Sequence, residues 1–135
     1  MLGMNYWAVI VAAVAAFVEG AVWNSSLLFG KERMRLLGMN PDAMADTKIP
    51  AGKMLGELFK VLVIAHVLAH LVALLGVVDW MAAVQLGAWV WIGFQATLLL
   101  GAVIWENMPW KLYAIHAGDA LVKILLMAAI LGVWR

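Results

Sequence analysis

The sequence predicts an all-α integral membrane protein: a four-helix bundle with a short interfacial helix in the loop between the first and second spans. Three observations carry that expectation. Hydrophobic residues fill 67% of the 135 positions and charged ones only 13%, whereas about a quarter of a soluble domain's residues are charged. The apolar residues gather into four runs, each near the roughly 20 residues that a bilayer span requires. Cysteine is absent, which removes disulfides, thiolate metal sites and thiol redox chemistry from consideration.

A single membrane domain is expected over 1–135, with spans at about 4–29, 55–77, 81–105 and 110–134. In the first span Ala8, Ala12, Ala16 and Gly20 recur every four residues, a small-residue row that another helix can approach closely. The loop 30–54 contains Asn40-Pro41-Asp42, which reads as an N-cap, a proline at the first helical position and an acid in the first turn, so a short helix is expected at 41–46. A tight turn around Gly76–Trp80 pairs the second and third spans as a hairpin. The third and fourth meet at Glu106-Asn107-Met108-Pro109, where the proline suits the first turn of the last helix.

Lys31, Arg33, Arg35, Lys48 and Lys53 lie in the long loop and Lys111 falls on the same side, against Arg135 alone on the other. By the positive-inside rule the loop is cytoplasmic and both termini face outward. Tyr6, Trp7, Trp80 and Trp134 would belt the outer edge, and Trp105, Trp110 and Tyr113 the inner one. Arg33 and Arg35 suit acidic head groups, but basic residues flank most spans and assign no role. A net charge of +1 argues against a nucleic-acid partner; the lipid bilayer is the expected one. No Lys or Arg precedes the first apolar run, so a cleaved signal peptide is not expected.

Rise per residue converts position into depth. Measured from the cytoplasmic ends, Glu19 lies roughly 15 Å in, His66 about 16 Å, Gln95 about 15 Å, Asp119 about 13 Å and Lys123 about 20 Å. Each such group facing lipid costs roughly 2.5–3.5 kcal/mol. Gathered at one level inside a bundle, they can satisfy one another. His66 and His70 are i, i+4 and resemble a two-histidine metal motif, but His70 at about 22 Å and His116 at about 9 Å are too far apart to share one ion. The feasible metal set is Glu19, His66 and Asp119, with Gln95 in support. The titratable groups then form a ladder across the membrane: His116, Asp119, Glu19 with His66, then Lys123 and His70. Asn24 extends the small-residue row toward the same face. Asp119 and Lys123 are i, i+4 and can simply neutralise each other, and the histidines can bond to helix backbones. Glu19 has no basic residue within two turns of its own helix.

Two stretches carry a resemblance. Trp23-Asn24-Ser25-Ser26-Leu27-Leu28-Phe29-Gly30-Lys31 resembles a W-Y-S-P-L-L-F-G-K element, and ENMPWKLYAI over 106–115 is similar to E-x-R-P-W-K-L-x-x-I. Both belong to an uncharacterised family of small bacterial four-span proteins, domain of unknown function 1761. The resemblance implies the four-span fold and a bacterial inner membrane; it brings no activity. Ser26 stands where that pattern has proline, Met108 where it has arginine, His116 where it has asparagine and Asp119 where it has tyrosine, so the titratable face of the last helix is particular to this chain. Glu106, Trp110 and Lys111 match the pattern and are expected to clamp the third and fourth helices structurally.

The functional expectation is a binding or translocation unit for a proton or small cation. The alternative is an accessory subunit of a larger membrane complex, for which Trp89 and Trp91 lie too deep to be belt residues; in one variant His66 or His70 ligates haem or a chlorophyll-like pigment. A homodimer is expected from the small-residue rows. No nucleophile–histidine–acid order or phosphate loop appears, which leans away from an enzyme.

Overall fold

The structure, a computed structural model, describes residues 5–25, 28–40 and 50–134. The helix expected at 41–46 lies outside the described residues. Among the described residues four helices are long and apolar enough to cross a membrane, and the chain is an integral membrane protein of all-α class.

Helix α1 spans Tyr6–Trp23 and begins where Asn5 Oδ1 accepts from the amides of Trp7 and Ala8 at 3.1 and 3.3 Å. It ends sooner than residue 29. Asn24 Nδ2 donates to the Gly20 carbonyl at 3.0 Å and caps the last turn, competing with the backbone as asparagine does at helix ends. A second helix that hydropathy does not signal, α2, covers Gly30–Leu36. It stops at Gly38, whose φ of 77° permits the 6→1 bond from Met39 N–H to the Met34 carbonyl, 2.8 Å.

Helix α3, Ala51–Leu74, starts directly after Pro50. It closes the same way at Gly76, φ 67°, with Val77 N–H on the Val72 carbonyl at 3.0 Å. Asp79 Oδ1 then accepts from Ala82 N–H at 2.7 Å and opens the third span. That span is continuous from α4, Trp80–Val90, through a π-helical segment at Trp91–Ala96, into α5, Thr97–Trp105. A π turn loosens the regular ladder, and here other groups meet the loosened carbonyls: Tyr113 Oη donates to Ala96 O at 3.0 Å, and Thr97 Oγ1 to Gly93 O at 2.7 Å. Asn107 in the left-handed region, φ 57°, turns the chain into α6, Trp110–Val133.

Helix α6 is the hub: α1, α4 and α3 all pack on it, and α1 also packs on α3. Lipid tails are as apolar as leucine, so such helices associate through close van der Waals contact and interhelical hydrogen bonds. The small-residue row of α1 supplies the contact, since Ala8, Ala12, Ala16 and Gly20 are all buried. Ala65, Leu68, Ala69 and Val72 of α3 and Ile124, Met127, Ala128 and Leu131 of α6 complete a dry core. On the α4 side a Cβ added to Gly132 would lie 2.7 Å from Trp80 Cα and 2.8 Å from Ala83 Cβ. This core fills the half of the bundle near the α3–α4 turn. The other half, beside α2, is polar.

Candidate functional site

Helix side chains lean toward their helix's N-terminus. Helix α6 begins at the α2 end, so Lys123 leans back over Asp119 and toward that end. Its Nζ lies 3.0 Å from Asp119 Oδ2 and 3.2 Å from Glu57 Oε1 of α3, and Lys60 Nζ holds the other Glu57 oxygen at 2.9 Å. The four charges alternate in sign. Side-chain exposure climbs along them, from 12% at Asp119 and 10% at Lys123 to 36% at Glu57 and 55% at Lys60. The row therefore runs from the bundle interior to its rim. Gly20 of α1 makes it possible: a Cβ there would sit 2.9 Å from both Cε and Nζ of Lys123.

Glu19 completes the cluster from α1. Its carboxyl lies within hydrogen-bonding reach of the Asp119 carboxyl and within electrostatic reach of Lys123 and Glu57. Both Glu19 oxygens and Asp119 Oδ1 are buried, and none meets a donor among the described residues when both acids are ionised. One shared proton would supply a donor, because a protonated carboxyl gains an O–H. Within the cluster alone, Glu19, Asp119 and Glu57 against Lys123 and Lys60 leave one surplus negative charge, with Arg33 and Lys53 adding positive charge on the cavity wall.

Asp119, Lys123, Glu57 and Lys60 line the floor of a cavity of about 570 Å³ at the α2 end, and Glu19 adjoins them without lining it. Arg33 of α2, Lys53 of α3 and His116 of α6 stand on its walls with Phe17, Met34 and Met54. His116 is half-buried and within electrostatic reach of Arg33, Asp119, Lys123 and Lys60. Toward the α3–α4 turn the cavity gives way to Ala12, Ala13, Ala16, Ile124 and Met127, all essentially inaccessible.

Of the residues singled out from sequence, the structure brings together Glu19, Asp119 and Lys123, with Asn24 and His116 lining the same cavity. It places His66 and His70 elsewhere, exposed on the exterior of α3. Their rings meet edge-on at 4.6 Å, Tyr6 stacks on His66 at 6.3 Å, and His70 Nδ1–H donates to the His66 carbonyl at 3.1 Å. The trio Glu19, His66 and Asp119 is thus not assembled, and among the described residues no three His, Asp or Glu side chains converge as metal ligands. Nor do the titratable groups make a ladder across the whole bundle, since Lys123 points back to Glu57. Gln95 sits in the π segment with its Oε1 buried and unpartnered among the described residues. Lys111 pairs with Glu32 of α2 at 3.4 Å rather than with the exposed Glu106, and Trp110 meets Tyr113 edge-on at 5.8 Å.

Sequence reasoning missed Glu57 and Lys60. Both sit near a span end and read as flanking charges; the signal was their i, i+3 spacing together with Lys123 leaning toward that end. It also missed a pair of indole clamps. Trp23 Nε1–H donates to Ile115 O at 3.0 Å and Trp91 Nε1–H to Ala117 O at 2.9 Å, so α1 and the third span grip α6 on either side of His116. The Trp23 ring covers Gly118, where a Cβ would approach it to 3.1 Å. Trp91 is thus a structural anchor, whereas Trp89 is 72% exposed.

Comparison with protein families matches residues 7–132 to a family described as protein of unknown function, DUF1761. No curated protein and no solved structure matches the chain. Part of the first motif-bearing stretch lies beside the cavity: Trp23 packs on Phe29 at 4.7 Å, and Asn24 and Ser25 line the wall. The chain belongs to the DUF1761 family.

Proposed function

We propose that this member of a family without an assigned activity is a proton-binding unit of the bacterial inner membrane, with the α2 end cytoplasmic and both termini outside. The observation that supports the reading best is the Glu19–Asp119 carboxyl pair, three of whose four oxygens are buried without a donor among the described residues, joined to the rim by Lys123, Glu57 and Lys60. A proton resting between Glu19 and Asp119 neutralises the cluster. Its departure leaves a charge that Lys123 answers by moving closer to Asp119, loosening its hold on Glu57. The Glu57 carboxylate, released by Lys123, then accepts the proton and passes it to water at the cavity mouth, while the Lys60 ammonium holds that carboxylate in place.

A proton fits better than a metal cation. The Lys123 ammonium already occupies the seat between two carboxylates where a cation would bind. Exchange is one-sided in this conformation, because the alanine-rich core closes the other half; passage across the bilayer requires α1 and α6 to part. Infrared difference spectroscopy of the purified protein tests the reading. A carboxylic-acid C=O band should be present at neutral pH and vanish in both Glu19→Gln and Asp119→Asn. A band untouched by either substitution, or none in the native protein, refutes it. Pyranine-loaded proteoliposomes then separate binding from transport.

The alternative of an accessory subunit draws on a different region. Along the third span Trp89, Phe94 and Leu98 are 72%, 74% and 78% exposed, an apolar face that lipid or a partner subunit would cover. The small-residue row that motivated a homodimer is used inside the bundle instead, so any such dimer would employ this third-span face. Crosslinking from Phe94 in native membranes distinguishes the cases, and an absorption spectrum of the same material tests for a pigment on His66 or His70.

A further inference from the structure

The two arginines of α2 differ. Arg35 Nη1 is paired with Glu32 Oε2 at 3.3 Å on the surface. Arg33 turns into the cavity, and its Nε is buried with no acceptor among the described residues. A buried guanidinium N–H without an acceptor is costly, and native structures seldom leave one. Lys53, on the first turn of α3, faces the same cavity, and no carboxylate lies within ion-pair distance of it among the described residues. The acidic groups nearby are already engaged: Glu57 by Lys60 and Lys123, Asp119 by Lys123. Among the described residues, Arg33 and Lys53 thus make the mouth of the cavity cationic, with no carboxylate partner of their own.

Its remaining wall is apolar and adaptable. Phe17, Met34, Met39 and Met54 line it, and methionine conforms readily to irregular flexible ligands. Lys53 stands in the first turn of the α3 span, near the depth at which lipid phosphates lie, and Arg33 of the short helix α2 lines the same cavity.

We infer that this cavity binds a phosphate carrying an apolar tail, with Arg33 and Lys53 on the anion and the methionine wall against the tail. Arg33 supplies the fork that matches phosphate oxygens, and Lys53 a second positive charge. This goes beyond the proton reading: it uses the mouth of the cavity, whereas proton binding uses its floor.

Native mass spectrometry tests it on the full chain, released from detergent with equal amounts of phosphatidylglycerol and phosphatidylcholine, and in a separate arm with glycerol 3-phosphate. The expected result is retention of phosphatidylglycerol over phosphatidylcholine by at least about tenfold, cut to near parity by Arg33→Gln with Lys53→Gln. Arg35→Gln, which removes one positive charge from the surface of the same helix, should leave the preference intact. Glycerol 3-phosphate bound as firmly as the lipid would keep the anion site but assign it to a soluble phosphate and remove the tail. Equal retention of both lipids, or a preference that survives the double substitution or falls equally with Arg35→Gln, overturns the proposal. Glu19→Gln serves as the control for independence: it should abolish the carboxylic-acid band and spare lipid retention, so either reading can fail alone.

Discussion

The two halves of this bundle solve the problem of living in oil in opposite ways. Near the α3–α4 turn, α1, α3 and α6 present alanine after alanine and close to backbone distance, leaving nothing polar to satisfy. Near α2, the same helices hold apart enough to admit three carboxyls, three lysines and a histidine. One helix changes character midway. Between Asp119 and Ile124, α6 passes from a charged floor to a sealed core. The difference teaches that polarity in a membrane bundle is tolerated by segregation: the dry half fixes the helices, and that fixity lets the wet half keep costly groups in register.

The comparison can be broken most forcefully at Lys123. Lys123→Met leaves Asp119 unanswered in the interior and Glu57 held by Lys60 alone, and should cost about 3–5 kcal/mol, by analogy with other severed buried pairs. Thermal unfolding in detergent should show a collapse of the transition, and Asp119→Asn added to Lys123→Met should restore most of it. No recovery in the double variant would mean that the charges are not coupled as described.

In the dry half, Gly132→Val drives a side chain into the Trp80 backbone. Overpacking typically costs about 1–3 kcal/mol, and SDS titration of helicity should register that loss. The matching change at Gly101, where an added Cβ meets nothing within 4 Å, should be neutral or gain up to about 1 kcal/mol from helix propensity. Equal effects at the two glycines would contradict the packing asymmetry.

A smaller effect belongs to the indole clamps. Trp91→Phe removes one hydrogen bond to α6 and should cost about 1 kcal/mol, while Trp89→Phe, on the lipid-facing side, should leave the midpoint of the same titration unmoved. Smallest of all, His66→Ala with His70→Ala should shift stability by less than about 0.5 kcal/mol, as exposed sites away from special contacts do. A larger shift would show that the exterior of α3 is covered by something in the assembled protein.

Much of this was legible in the sequence, and the failures have one cause. Hydropathy locates spans, and rise per residue gives depth, so the convergence of Glu19, Asp119 and Lys123 followed from counting. Counting nevertheless sets Lys123 a step outward beside His70 and puts His66 in its place, because depth carries no information about azimuth or about how far a long side chain leans. His66 and Ala65 share a level but lie about 100° apart around the helix. The buried row of Ala65 and Ala69 turns inward and carries the histidines out. Glu57 escaped for the complementary reason: its Cα is near the span end, but Lys123 reaches back along α6 to meet it. The polar caps that ended α1 at Trp23 and the turn that seated α2 are local hydrogen-bond chemistry, which hydropathy averages away.

Helix α6 follows the other three spans in the chain, and that order bears on how the protein is made. Its own acid and base can enter the bilayer as a neutral couple, leaving little for the insertion machinery to resist. Glu19 enters far earlier, on a helix without a basic residue, and must arrive as the uncharged acid or linger at the interface. Until the last segment emerges, the groove at Gly20 stays vacant and the acid beside it unanswered. A nascent chain halted before α6 would carry that blemish in plain view of membrane proteases, whereas the finished one hides it.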